Sequence, residues 1–366
     1  MSDFDLQLLP CGGVEHRADL AAFRARGWAV PHPWASGCLS DTASERLWVR
    51  VVAPDGVWKT AFAVELYPSR ALPGTRIGRI ERLGRAPQAD MATWLGAALS
   101  ATARKIPRLQ RLEVQLFDED CVRRQMLANA LFAAGARRLK PPRGYSLTRV
   151  TDLSCADTTL LATFSARTRR SLRKTLDEGG LRVAPIDSSA YLARIAVLHR
   201  ASFARTRAAP PPLMPTAMLA DARGGETSCL LGAFDAEVAP PEDMVAFAWA
   251  RLHGDYASYD TAGSVPVASG RGRAPGAALM WQLMRWARSR GAVWFDLGGT
   301  IPADAPADHP LHGIAAFKRG FAADEREVAI ELMFTPATAL ARSVAALRGS
   351  LTWLRQRSGT GPDTGA

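Results

Sequence analysis

DYASYDTAGS (255–264), RAPGAALMWQLMRWARSRGAVWFDLGG (273–299) and GIAAFKRGF (313–321) succeed one another between Gly254 and Phe321. The first predicts a strand. A Gly/Pro turn leads into a helix over 275–290, a second strand ends at Asp296-Leu297, and a glycine pair precedes a short helical segment carrying Lys318. A strand followed by a helix that opens on RAPGAA is suited to hold phosphates. Its free N–H groups and the positive end of its dipole face an anion there. An enzyme using a phosphate-bearing donor is the first expectation.

The rest of the chain bounds that expectation. At 366 residues it is too long for one average domain and suits two of roughly 150–180 residues each. Its net charge of +11 and pI near 10.0 favour polyanionic partners, although an arginine-rich composition can also serve solubility alone. The five cysteines are scattered, with no C-x-x-C, which argues for free thiols and against a zinc site. His309 and His312 suit a solvated loop, and no metal site is expected. MSDFDLQLLP has no apolar h-region and no run of 18 apolar residues occurs, so a cytoplasmic protein without a signal peptide or spanning helix is expected.

Outward from the opening stretch, local patterns repeat. LWVRVV, a turn at Pro54-Asp55-Gly56 and VWKTAFAVEL predict a hairpin, followed by a strand over 77–84. Met91, Trp94, Leu95, Ala98 and Leu99 mark a helix to Ile106, then come a strand (111–117), a helix (118–134) and a strand closing this half (145–150). A connecting helix over 157–179 leads to a second half. There, strands near 181–186, 228–234, 244–252, 255–262 and 327–334 are interleaved with helices. The expected domains are 1–155 and 156–335, each a mostly antiparallel sheet with helices. Beyond them, 336–357 forms an amphipathic helix, docked on the body or resting on an anionic membrane surface, and 358–366 a disordered tail.

Four groups of residues carry chemistry. Arg273-x-x-Gly276-x-Ala278 is a pyrophosphate-loop pattern: glycine lets the backbone approach and the helix presents its N–H groups. Arg167, Arg170 and Lys174 share one helix face, and Arg169 and Arg173 another, giving a solvated face or a phosphate contact. Asp296 closes a buried strand before two glycines, where it braces the loop or receives a proton. Lys318 lies between Phe317 and Phe321, where apolar rings can aim and desolvate it to neutralise an oxyanion or phosphate; Tyr259 is its neighbour on the preceding strand.

Together these residues resemble the Fem family of non-ribosomal peptidyl (aminoacyl) transferases over roughly residues 60–330. The most specific part is WARSRGAVWFDLGG followed by GIAAFKRGF. The resemblance implies an α/β fold of two tandem acetyltransferase-like (GNAT-like) domains, with aminoacyl-tRNA as donor and a peptidoglycan precursor as acceptor. It implies Lys318 in transfer, with Tyr259, Arg167 and Arg170 near the acceptor phosphates. RLGRAP stands where members have an Arg-Gly-Pro turn, and a Pro/Ala loop (206–225) stands where a helical-hairpin arm would contact tRNA. The loop of Arg273, Gly276 and Ala278 equally suits acyl-CoA.

The expected reaction is attack by an amine on an activated acyl ester or thioester. Orientation and oxyanion stabilisation suffice, with no covalent enzyme intermediate. The readings left open are aminoacyl transfer from tRNA, N-acylation of an amino sugar or other cell-envelope precursor from acyl-CoA, and non-catalytic nucleic-acid binding. No permanently bound cofactor is expected, and peripheral membrane contact is left open with the two readings of the 336–357 helix.

Overall fold

Val49, Val51, Phe62, Val64 and Leu66 alternate along β2 (Glu45–Val52) and β3 (Trp58–Pro68) and are buried on one face of this hairpin. The computed structural model describes residues 4–11, 13–25, 45–83, 89–177, 181–206, 209–224, 227–266, 274–302, 304–306 and 308–336. The expected C-terminal helix and tail, and Arg273, lie outside the described residues.

Around the hairpin, β1 (Asp5–Pro10), β4 (Arg76–Leu83), β5 (Leu109–Phe117), β14 (Ala329–Phe334) and β6 (Arg137–Arg138) complete a seven-stranded sheet in the order β1-β2-β3-β4-β5-β14-β6. Helices α2 (Ala89–Lys105) and α3 (Cys121–Ala133) cover it. Leu95, Ala98, Leu99 and Ala103 of α2 recur at helical spacing and are buried in this core with Leu127 and Leu131 of α3. Asp120 caps α3 by accepting from the N–H groups of Val122 and Arg123. β1 and α1 (Val14–Ala25) add to the expected elements.

The second sheet, β13-β7-β12-β11-β10-β9-β8, repeats that plan. Its strands are β7 (Leu147–Asp152), β8 (Leu181–Pro185), β9 (Ser228–Asp235), β10 (Met244–Leu252), β11 (Tyr256–Ser264), β12 (Trp294–Gly299) and β13 (Glu325–Glu327). Its helices are α4 (Asp157–Thr163), α5 (Ala166–Asp177), α6 (Leu192–Ala204), α7 (Pro215–Arg223), α8 (Pro275–Ser289) and α9 (His312–Arg319). In each sheet an antiparallel run of four strands is followed by one parallel pair, β4 with β5 and β11 with β12.

Two expectations change. The strand at 145–150 does not close the first half: β7 pairs with β12 and β13 in the second sheet, while β14 pairs with β5 and β6 in the first. Each sheet thus holds one strand from beyond the boundary expected at 155/156. A strand's local alternation is blind to which sheet receives it. The single helix over 157–179 is two helices, because Phe164 leaves the helical conformation (ψ 152). Its ring enters the core, edge-on to Trp281 and Phe321.

The parallel pairs differ in one respect that matters for function. β4 and β5 remain paired from Arg76–Leu109 to Leu83–Leu116. β11 and β12 pair only at Tyr256–Trp294, Ala257–Phe295 and Ser258–Asp296. Beyond these rungs β11 runs on to Ser264 and β12 to Gly299, so the second sheet opens. Stacked rings of Tyr256 and Trp294, with centroids 4.3 Å apart, close its other end against Phe117 of the first sheet. Among the described residues no helix is long and apolar enough to cross a membrane.

Candidate active site

The opening holds a cavity of about 570 Å³. Tyr259 to Ser264 of β11 and Gly299 of β12 form its edges. Gly276 and Leu279 of α8 and Ile314, Phe317 and Lys318 of α9 line one wall, and Ser202, Phe203 and Thr206 line another. The register of β10 against β11 slips between Trp249–Thr261 and Ala250–Tyr259, leaving Asp260 as the extra residue. Such a bulge bends the strand and breaks its ladder at a rim.

Lys318 lines the cavity and is 6 % exposed. Its position follows from α9, which buries Ala315 and Lys318 on one face. Nζ donates to the Gly299 carbonyl oxygen at 2.6 Å and lies 6.0 Å from the centre of the Tyr259 ring. An ammonium has three donors; one is used on Gly299, and two remain for a substrate oxygen. Burial lowers its pKa from the usual lysine range to about 8, and the nearby Asp296 carboxylate opposes that shift. Lys318 is therefore a cation near neutral pH that loses its proton in mildly alkaline solution. Burial raises the Tyr259 phenol above its ordinary range, so this side chain stays a neutral hydroxyl at working pH.

Asp296 belongs behind this site. It is fully buried and is not among the residues lining the cavity. Tyr145 donates its hydroxyl to one carboxylate oxygen at 2.7 Å, and Gly298 donates its N–H to the other at 2.9 Å. The Thr148 hydroxyl lies 2.6 Å from Asp296 and 2.7 Å from the Gly298 carbonyl, and donates its proton to one of them at a time. Arg82 adds an ion pair at 3.5 Å and also donates to the Tyr145 hydroxyl. A carboxylate so enclosed braces the Gly298-Gly299 loop. That loop needs glycine twice. Gly298 has φ +76, and a Cβ on Gly299 would lie 2.7 Å from the Tyr145 ring.

The other expected residues divide. Gly276 forms cavity wall in the first turn of α8, whereas Ala278 is wholly buried beneath that helix and does not line the cavity. Arg167 and Arg170 are exposed on α5 and lie apart from the cavity lining. Arg82, Tyr145 and Thr148 were not expected as site residues; each acts through a fold contact between distant chain segments. Among the described residues no group of His, Cys, Asp or Glu converges as metal ligands.

Residues 162–319 match the acetyltransferase (GNAT) domain family. No curated protein gives a significant match to the sequence. The fold is shared with several solved structures at low identity. FemX is 16% identical over 81% of this chain and 89% of its own, with a TM-score of 0.65. L-PGS from Bacillus licheniformis is 15% identical over 93% and 97%, with a TM-score of 0.51. A tandem GNAT protein from the clavulanic acid biosynthesis pathway, solved without AcCoA, is 15% identical over 92% and 100%, with a TM-score of 0.50.

Proposed function

We propose that this chain, an acyltransferase of two tandem GNAT-like units, moves an aminoacyl group from aminoacyl-tRNA to an amine of a peptidoglycan precursor. The observation that carries the reading is the Lys318 ammonium, buried at the opened strands with two N–H groups to spare. As the acceptor amine attacks the ester carbonyl, negative charge collects on the carbonyl oxygen. A desolvated cation within reach stabilises that charge more than it stabilises the neutral ester. Collapse breaks the bond to the ribose oxygen, which takes up the proton that the attacking amine gives up. The cavity touches α8 and α9 on one side and α6 on another, leaving room for donor and acceptor to meet. The fold shared with FemX, the exposed cations of α5 and the resemblance of the Lys318 segment to the Fem family support this donor and acceptor.

A second reading, N-acylation of a cell-envelope amine from acyl-CoA, draws support from the GNAT match and from Gly276, which brings backbone to the cavity at the start of α8. The +11 charge alone also suits a non-catalytic nucleic-acid binder, but the GNAT match and the cavity favour an enzyme. The donor is tested by offering labelled aminoacyl-tRNA and acyl-CoA together with a peptidoglycan precursor and weighing the product. An aminoacyl mass increment on the precursor is expected. An increment derived only from CoA transfers the reaction to the second reading. In the same reading the protein works in the cytoplasm at the inner membrane face, where such precursors are assembled.

A further inference from the structure

We infer that Tyr145, held by Arg82 of the first sheet, is a positioning residue for Lys318, acting through Asp296 and the Gly298-Gly299 loop. The inference rests on the reading of Lys318 as the oxyanion-stabilising group. The contacts form an unbroken series. Arg82, at the end of β4, donates to the Tyr145 hydroxyl and lies with its guanidinium 4.3 Å from the centre of the Phe117 ring. Tyr145 donates to Asp296, Asp296 accepts from the Gly298 N–H, and the carbonyl of the following residue, Gly299, accepts from Lys318. The Tyr145 ring also lies against Gly299 so closely that a methyl group could not stand between them.

Two consequences follow. The carbonyl that aims Lys318 is fixed on both sides, by a ring in contact and by a carboxylate three residues before it, which holds the N–H of the residue between. The groups that fix it come from the segment before β7 and, through Arg82, from the other sheet. The ionisable groups around the ammonium are Asp296 of β12 and Tyr259 of β11, with Tyr145 and Arg82 behind the carboxylate. Burial and the Asp296 charge together hold the Tyr145 phenol neutral, with Arg82 opposing, so it remains the hydrogen donor this arrangement needs. Without that donor, the Asp296 oxygen it served keeps only the 3.5 Å ion pair with Arg82, and the carboxylate turns toward that partner. The loop and the ammonium then shift together.

The test compares wild type with Tyr145→Phe, Lys318→Met and the double variant. Two things are read: steady-state kinetics, and competitive labelling of Lys318 by acetic anhydride followed by mass spectrometry. Labelling reports the titration and reactivity of Lys318 without requiring turnover. Tyr145→Phe keeps the ring against Gly299 and removes only the hydroxyl. A fall in kcat of about tenfold is expected, the effect of one weakened transition-state hydrogen bond, with donor KM unchanged within about twofold. The Lys318 labelling curve should shift, and in the Lys318→Met background Tyr145→Phe should cost nothing further. A labelling curve that coincides with wild type overturns the inference, as does an equal loss of kcat in the Lys318→Met background. Should Lys318→Met itself turn over at the wild-type rate, the oxyanion reading fails, while the labelling curve of Tyr145→Phe still decides the positioning. If Tyr145→Phe does not fold, Thr148→Val removes the hydroxyl shared by Asp296 and the Gly298 carbonyl and is judged by the same curve.

Discussion

Lys318 is costly to bury and is expected to sit where it does for chemistry. Its pKa is about 8 in the folded chain, below the ordinary lysine value of 10.5. Between those values the unfolded chain binds more protons than the folded one, so stability rises with pH across that window. Below pH 8 the whole penalty is present. Lys318→Met removes it and should stabilise the protein at pH 7 by on the order of 1–3 kcal/mol, after allowing for the lost hydrogen bond to Gly299. The gap should close as pH approaches 10.5, and denaturant melts at pH 7 and pH 10 measure both. The same variant should lower kcat by roughly 10²-fold, as the loss of an oxyanion donor does. In wild type, kcat should fall as pH rises through about 8, where Lys318 loses its charge. A rate that instead climbs through that pH would assign Lys318 the role of a base.

At the scale of elements, α8 and α5 carry separable predictions. A Cβ on Gly276 would lie 3.4 Å from the Phe317 ring, so alanine fits and a branched side chain does not. Gly276→Val should raise the donor KM by about tenfold or more while Gly276→Ala stays within about threefold, because only valine displaces Phe317 or intrudes on the cavity. If CoA is the donor, wild type should gain about 2.7 kcal/mol of stability at 100 times Kd; no thermal shift at millimolar CoA favours tRNA. Helix α5 turns Leu172 and Thr175 inward, where Thr175 accepts from the Ala274 N–H just before α8, and leaves Arg167 and Arg170 in solvent. Arg167→Gln with Arg170→Gln should leave stability within about 0.5 kcal/mol. It should also weaken substrate binding and flatten its salt dependence, since fewer counterions are released. Parallel salt titrations of equal height would reduce the pair to a solvated face.

For the whole molecule, the exchange of β7 and β14 makes each sheet depend on chain from the other half. A fragment of residues 156–335 lacks β7, leaving the edge of β12 bare. It also carries β14 without β5, exposing Ile330, Leu332 and Phe334, which the first core buries. Unpaired edges and apolar strands of this kind aggregate. The fragment should be recovered as aggregate, and the full chain should melt in one cooperative transition. A soluble fragment with its own cooperative melt would show that the exchange is dispensable.

Much of this protein was legible in one dimension. Hairpin β2–β3, helices α2, α3 and α8, and the β11-α8-β12-α9 stretch carry apolar periods of two and 3.6 residues, and burial of one face turns such periods into elements. Lys318 and Gly276 stand at marked places in that stretch, a lysine between aromatics and a glycine opening a helix, and the fold brings both to the cavity. The exchange of β7 and β14, the break at Phe164 and the bracing of Asp296 by Arg82, Tyr145 and Thr148 were decided only in three dimensions. A strand's pattern records that one face must be covered, and leaves open which neighbour covers it. A buried carboxylate must be satisfied by donors, and any arginine, tyrosine or threonine that packing brings within reach will serve.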